Sequence, residues 1–266
     1  MMVIVTGAAG GLGRAMACEC ARRGYSLVLT DINEEQLERI RFGISRRYGV
    51  NVYAKACDLT SDESVKRLFA YISCVGETPG MLLNIAGIDY EGSFLGRNSE
   101  RINDIVQLNI AATLRVTHAL LARKKQQPLY IVNVSSLASI YPIPLKATYA
   151  ASKRFLLDFS IALGQELKRE NVHVMALCPG GLATTTEALA GISSQGFWGN
   201  ATTNRLETVA RKTISRALAG TRVYIPGALN RTLSVLGKLI PGTWTARLLH
   251  GRWLAAQKKW LNATNA

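Results

Sequence analysis

Short β-branched runs alternate with longer stretches of helical period along most of the chain. The apolar runs at 3–6, 26–30, 52–57, 81–85, 129–134, 172–177 and 222–225 read as strands. The segments near 11–23, 34–47, 62–73, 99–125, 147–169 and 205–219 carry the spacing of amphipathic helices. Strands that follow one another through helices must pair in parallel, because a parallel connection needs a crossover. Asn204-Arg-Leu-Glu207 reads as a capping box, with Asn204 as N-cap and Glu207 at N3. That gives Glu207 a structural task and removes it from the candidate catalytic groups.

The pattern predicts an α/β fold: a Rossmann-like, doubly wound parallel sheet of about seven strands with helices on both faces, plus a C-terminal helical extension. Residues 1–227 form the expected dinucleotide-binding domain, with a substrate loop at 184–203. Residues 228–266 form the basic, tryptophan-bearing extension, divided into two helices at Pro241-Gly242. In such a fold the ligand crevice lies at the carboxyl ends of the strands. No internal repeat or interdomain linker interrupts the 266 residues, a length that suits one large domain.

The first strand leads into Thr6-Gly-Ala-Ala-Gly-Gly-Leu-Gly13 and then a helix. Glycines let backbone approach a pyrophosphate, and the helix N-terminus offers free N–H groups. The strand–turn–helix context is what gives a glycine-rich segment this meaning. The second strand closes on Asp31, placed to accept hydrogen bonds from an adenosine ribose and to repel a 2′-phosphate. Ile32 follows, with no arginine to neutralise such a phosphate, so NAD is favoured over NADP. The competing reading makes Asp31 a helix cap.

Tyr149 and Lys153 are four apart in a helical stretch and so share a face. A lysine ammonium beside a phenol is expected to lower its pKa and suit it to proton transfer. Ser136 follows an apolar strand and is expected at its carboxyl end, where its hydroxyl can hold a substrate oxygen. Alone, a tyrosine and lysine at this spacing are common on surfaces. The serine-ending strand and the dinucleotide turn give the pair its significance.

These motifs occur together in the order found in the short-chain dehydrogenase/reductase family, which the chain resembles from residue 2 to about 226. Thr6, Gly7, Gly11, Leu12 and Gly13 match the cofactor turn; Asp58 and Leu59 match the segment near the adenine. Asn84-Ile-Ala86-Gly87 resembles the family's NNAG segment, with Ile85 replacing its second asparagine. Asn109, Ser136, Tyr149 and Lys153 match the catalytic tetrad, and Pro179-Gly180 with Thr184 matches the nicotinamide loop; Gly181 stands where a bulkier residue is frequent. The resemblance implies hydride transfer between NAD(H) and an alcohol or carbonyl. Lys153 would bind the nicotinamide ribose and tune Tyr149, and Asn109 would hold a relay water. It also implies a homo-oligomer, dimer or tetramer. A non-catalytic NAD(H) sensor or scaffold is the competing class, although such proteins usually lose the tyrosine or lysine retained here. Epimerases and dehydratases share the pair but carry larger substrate domains than this length allows.

Phe197 and Trp198 in the 184–203 loop are candidate apolar walls for substrate, together with Ile140, Tyr141, Pro142, Ile143 and Leu145. These residues favour a lipophilic secondary alcohol or ketone, such as a hydroxysteroid or fatty-acyl derivative; anchoring the loop to the core is the alternative use of the two aromatics.

Charge changes the picture only at the end of the chain. The net charge is +14, and no acidic residue follows Glu207, while ten lysines and arginines do. With Trp244, Trp253 and Trp260, this segment reads as an amphipathic pair on an anionic membrane surface, as an attractor of acidic substrates, or as an oligomer contact or extra cap with a solvated basic face. No recognised nucleic-acid module accompanies the charge. Three dispersed histidines and five cysteines without paired spacing predict neither a metal site nor a Ser-His-Asp triad. The absence of a basic, apolar leader before the first strand makes a cytoplasmic protein the default expectation, with peripheral membrane contact through the tail as an addition.

Overall fold

The computed structural model describes residues 1–183 and 202–251. Seven parallel strands form one sheet: β1 (Met2–Thr6), β2 (Ser26–Asp31), β3 (Val52–Ala56), β4 (Pro79–Asn84), β5 (Leu129–Val134), β6 (Val172–Leu177) and β7 (Val223–Tyr224). Their spatial order is β3-β2-β1-β4-β5-β6-β7. The order reverses between β1 and β4, where a crevice opens at the carboxyl ends.

The first strand shows why both faces are covered. Met2, Val3, Ile4 and Val5 are all fully buried, and alternation sends them to opposite sides. Val3 and Val5 join a core with Leu12, Met16 and Cys20 of α1 (Gly11–Arg22), Leu37 of α2 (Glu34–Tyr48) and Ile214. Met2 and Ile4 join the opposite core with Leu68 and Phe69 of α3 (Asp62–Val75). A continuous apolar strand is the mark of such two-sided burial.

Local chemistry sets the helix starts. Asn33 and Ser61 cap α2 and α3, each accepting a first-turn backbone N–H. α1 begins after Gly10 with no side-chain cap. Asn33, not Asp31, is therefore the cap of α2.

Two elements depart from the sequence pattern. The helix expected over 99–125 divides into α4 (Ser99–Ile105), a π-helical turn (Val106–Ala111) and α5 (Ala112–Leu121). The extra residue of a π turn rotates the following face without breaking the helix, which periodicity alone does not register. The long helix after Ser136 is α6 (Ala147–Glu166). The expected capping box is not formed: α7 (Leu206–Leu218) has Arg205 at its N-cap and no side-chain cap. Asn204 instead pairs in a parallel bridge with Leu182 and donates to the Thr202 carbonyl. The chain then enters α8 (Ala228–Leu239), and residues 242–251 are again helical. No helix among the described residues is long and apolar enough to cross a membrane.

Candidate active site

The glycine turn is built by close backbone approach. Gly7 has φ +63°, and a Cβ there would meet the Ala86 backbone at 2.8 Å. At Gly13 a Cβ would collide with the Gly7 carbonyl oxygen and the Ala8 backbone. The Thr6 hydroxyl donates to the Leu83 carbonyl and accepts from the N–H groups of Ile85 (3.0 Å) and Ala86 (3.2 Å). The 84–87 segment is thus tied to the end of β1, directly beside the turn.

Asp31 holds the other side. One carboxylate oxygen accepts from the Ala9 N–H at 3.0 Å and the other from the Asn33 N–H at 3.2 Å. The residue is only half-buried, and Ile32 beyond it is 75% exposed. Asp58 closes a local turn by accepting from the N–H (2.9 Å) and hydroxyl (2.6 Å) of Thr60. A cleft of about 240 Å³ is lined by Ile32, Cys57, Asp58, Ser64, Lys55 and Arg67, among others. The residues fit a dinucleotide: uncapped N–H groups opening α1 suit a pyrophosphate, and Asp31 with the neighbouring cleft suits an adenosine.

At the nicotinamide end Asn109 and Lys153 flank Gly87, and Tyr149 lies beside Lys153. Asn109, fully buried in the π turn, accepts from the Ile88 N–H at 2.9 Å. Its amide donates to the Ile88 carbonyl (3.0 Å) and to the Ser152 hydroxyl (3.1 Å). A Cβ on Gly87 would lie 2.9 Å from the Asn109 oxygen and 3.3 Å from the Lys153 Nζ. Glycine is required there so that both groups can reach the loop. Lys153 is 5% exposed and donates to the Val134 carbonyl at 2.9 Å. Ser136 follows β5; its hydroxyl accepts from the Ala138 N–H at 3.1 Å and lies near enough to the Tyr149 phenol to favour its charged form.

The electrostatics differ from expectation. Burial pushes the Tyr149 phenol above its ordinary value, the negative charge of Asp89 adds to this, and the nearby Ser136 hydroxyl opposes it. Burial also pushes Lys153 down, to about 8, against the pull of Asp89. Lys153 therefore does not lower the phenol in this arrangement. Its Nζ is 5.7 Å from the ring centroid and donates to the Val134 carbonyl.

Asp89 and its partners are the residues that sequence reasoning missed. Lys146 pairs with Asp89 at 2.6 Å and Glu91 at 3.5 Å, and lies 5.6 Å from the Tyr149 ring centroid. A cleft lined by Tyr90, Phe94, Ile102, Ile105, Leu145 and Tyr149 opens beside them. Leu145, expected as an apolar wall, takes φ +64° there, a strained conformation for a branched residue. The only sequence signal for this cluster was its position, after the 84–87 segment and just before Tyr149.

Other expected residues serve from beneath. Asn84 donates to Thr117 (3.0 Å) and Asn133 (2.8 Å) in the core, so its side chain supports the sheet rather than facing the crevice. The Leu59 side chain is likewise buried in the core. Leu12 is buried against the sheet at the start of α1, and Ala86 presents its N–H to Thr6. Pro179 accepts from the Leu137 N–H at 2.7 Å, and a Cβ on Gly180 would strike the Thr202 carbonyl. Thr184, Phe197, Trp198, Trp253 and Trp260 lie outside the described residues. Among the described residues no cluster of metal-ligating side chains occurs. No disulfide joins any of the five cysteines.

A fold and site of this kind define a dinucleotide-binding α/β protein with a tyrosine and lysine at the carboxyl ends of the sheet. Comparison gives the family. The short chain dehydrogenase profile matches residues 1–193, and the chain belongs to that family. It is 35% identical over 176 residues to a very-long-chain 3-oxoacyl-CoA reductase of Laccaria bicolor, covering 64% of this chain and 52% of that protein. It is 30% identical over 187 residues to a 3-oxoacyl-[acyl-carrier-protein] reductase of Aquifex aeolicus, covering 70% and 75%. The chain thus spans about half the length of the Laccaria relative. A short-chain dehydrogenase from Sphingobium yanoikuyae, solved in complex with NADPH, superposes with a TM-score of 0.73 at 26% identity, covering 89% of this chain and 92% of that one.

Proposed function

We propose that this protein is a nicotinamide-dependent oxidoreductase that interconverts a lipophilic secondary alcohol and its ketone. The observation that carries this is the clustering at the carboxyl ends of β4 and β5, where Asn109 and Lys153 flank Gly87 and Tyr149 lies beside Lys153, with Ser136 next to the phenol. A bound nicotinamide dinucleotide supplies or accepts the hydride. Ser136 and Tyr149 hold the substrate oxygen, and the Tyr149 phenol gives it a proton as the carbonyl is reduced. Lys153 is held at the Val134 carbonyl, 5.7 Å from the Tyr149 ring centroid, and Asn109 fixes the loop at Ile88.

NAD is the proposed cofactor. The Asp31 carboxylate, anchored to the Ala9 N–H and followed by an exposed Ile32, supports this by repelling a 2′-phosphate. The Sphingobium structure holds NADPH, and Lys55 and Arg67 line the adjoining cleft, so NADP(H) is the second reading. The apolar lining of Tyr90, Phe94 and Leu145 supports a lipophilic substrate, as do the names of the acyl-reductase relatives. A half-exposed Phe155 stacked on Phe159 along α6 supports the homo-oligomer. A screen of ketones, steroids and acyl thioesters with both NADH and NADPH tests the reading. Turnover of a lipophilic ketone supports it; tight NADH binding without turnover of any of them assigns a sensor instead.

A further inference from the structure

Helix α8 is built inside out. Its polar residues Asn230 and Ser234 are buried, as is Thr245 in the helical turn run that follows. Their donors are used within the protein: the Asn230 amide N–H groups go to the Thr202 and Pro226 carbonyls, with its Oδ1 buried and unpartnered, and the hydroxyls of Ser234 and Thr245 go to the Arg231 and Gly242 carbonyls. Gly237 faces inward too, against the Tyr141 ring. The large apolar residues face outward. Val235 is 58% exposed, Leu239 75%, Trp244 69% and Leu248 68%, with Leu236 and Ile240 between them. Scattered exposed leucines are ordinary on a protein surface; a run of exposed large apolar residues along two successive helices, with an asparagine, a serine and a threonine turned inward, is not.

Charge selects what covers this face. No acidic residue follows Glu207, and the exposed Arg231 and Arg247 border the apolar stripe, Arg247 lying between Trp244 and Leu248 on the same helical side. A second copy of the chain would bring like charges together. An anionic lipid surface accepts apolar groups at acyl depth, tryptophan at the interface and arginine among headgroups. We infer that α8 and residues 242–251 form a docking face for an anionic membrane surface.

The face is joined to the site. The Tyr141 hydroxyl donates to the Leu233 carbonyl, and Gly242 packs against the Pro142 ring. Both residues belong to the segment linking Ser136 to Tyr149. Docking therefore brings the substrate side of the crevice toward the bilayer, where a lipophilic ketone would partition; this last step rests on the proposed function.

Full-length protein should co-sediment with vesicles of phosphatidylcholine and phosphatidylglycerol in equal parts, and far less with phosphatidylcholine alone. Two double variants, Leu236→Ser with Leu239→Ser and Arg231→Gln with Arg247→Gln, should each lower that partitioning by about tenfold. Both should keep the wild-type circular dichroism and the turnover of a small water-soluble ketone, because all four positions are exposed. Turnover of a long-chain ketone embedded in the vesicles should fall with binding. No co-sedimentation of the wild type, or binding equal in wild type and variants, overturns the inference. So does a wild-type dimer that the serine variant converts to monomer, which would assign the face to a second copy. Vesicle binding without turnover of any ketone would leave the docking face standing and remove only the proposed function.

Discussion

The Lys153 ammonium donates to the Val134 carbonyl at 2.9 Å, which fixes a buried cation under the end of β5. Burial lowers its pKa from 10.5 to about 8. Between those values the unfolded chain binds more protons at this position than the folded one. The contribution of Lys153 to stability therefore rises as pH increases from about 8 to 10.5. Tyr149 works oppositely above its ordinary value, where the folded protein keeps a proton that the unfolded chain loses. Urea midpoints measured at several pH values should rise from pH 8 toward 10 more steeply in the wild type than in Lys153→Met. Parallel curves would remove the assignment.

Asp89 is predicted to set the phenol. Its negative charge raises the pKa of both Tyr149 and Lys153. Asp89→Asn should move the basic limb of the pH–rate profile for alcohol oxidation to lower pH, because phenolate then forms more readily. A limb that stays in place, with folding intact, would mean that Asp89 acts only as the partner of Lys146.

Gly13 admits no side chain. The collision of a Cβ with the Gly7 carbonyl is with backbone, which cannot yield as a side-chain tip can. Gly13→Ala should cost about 1–3 kcal/mol of stability and sharply weaken NADH binding. A thermal denaturation curve and a fluorescence titration read the two effects separately.

Asp31→Ala should erode the preference for NADH over NADPH by about tenfold, the worth of a hydrogen bond to a charged group. The ratio of kcat/KM values for the two cofactors measures it. An unchanged ratio would transfer cofactor choice to Lys55 and Arg67 across the cleft.

Much of this site was legible in the sequence because its groups hang on regular elements. Tyr149 and Lys153 share a face of α6, and Thr6 and Ser136 follow strands whose apolar runs are unmistakable. What escaped depended on tertiary geometry. The π turn that buries Asn109 adds one residue to a helix whose apolar pattern continues on both sides. The box at Asn204 had the right residue types, yet the bridge to Leu182 held that segment extended and moved the helix start. The Asp89–Lys146 pair joins residues far apart in sequence, with no motif to announce it. The inverted face of α8 has a helical period but no sequence mark saying which side meets the protein.

The central claim is that Tyr149 transfers the proton, and Tyr149→Phe tests it most directly. The change removes one hydroxyl from a half-buried ring and leaves the glycine turn and Asp31 untouched. NADH-linked reduction of a ketone that the wild type accepts should fall by about 10²–10⁴-fold, while NADH binding by titration stays within a few-fold. Turnover at the wild-type rate in that variant would contradict the account.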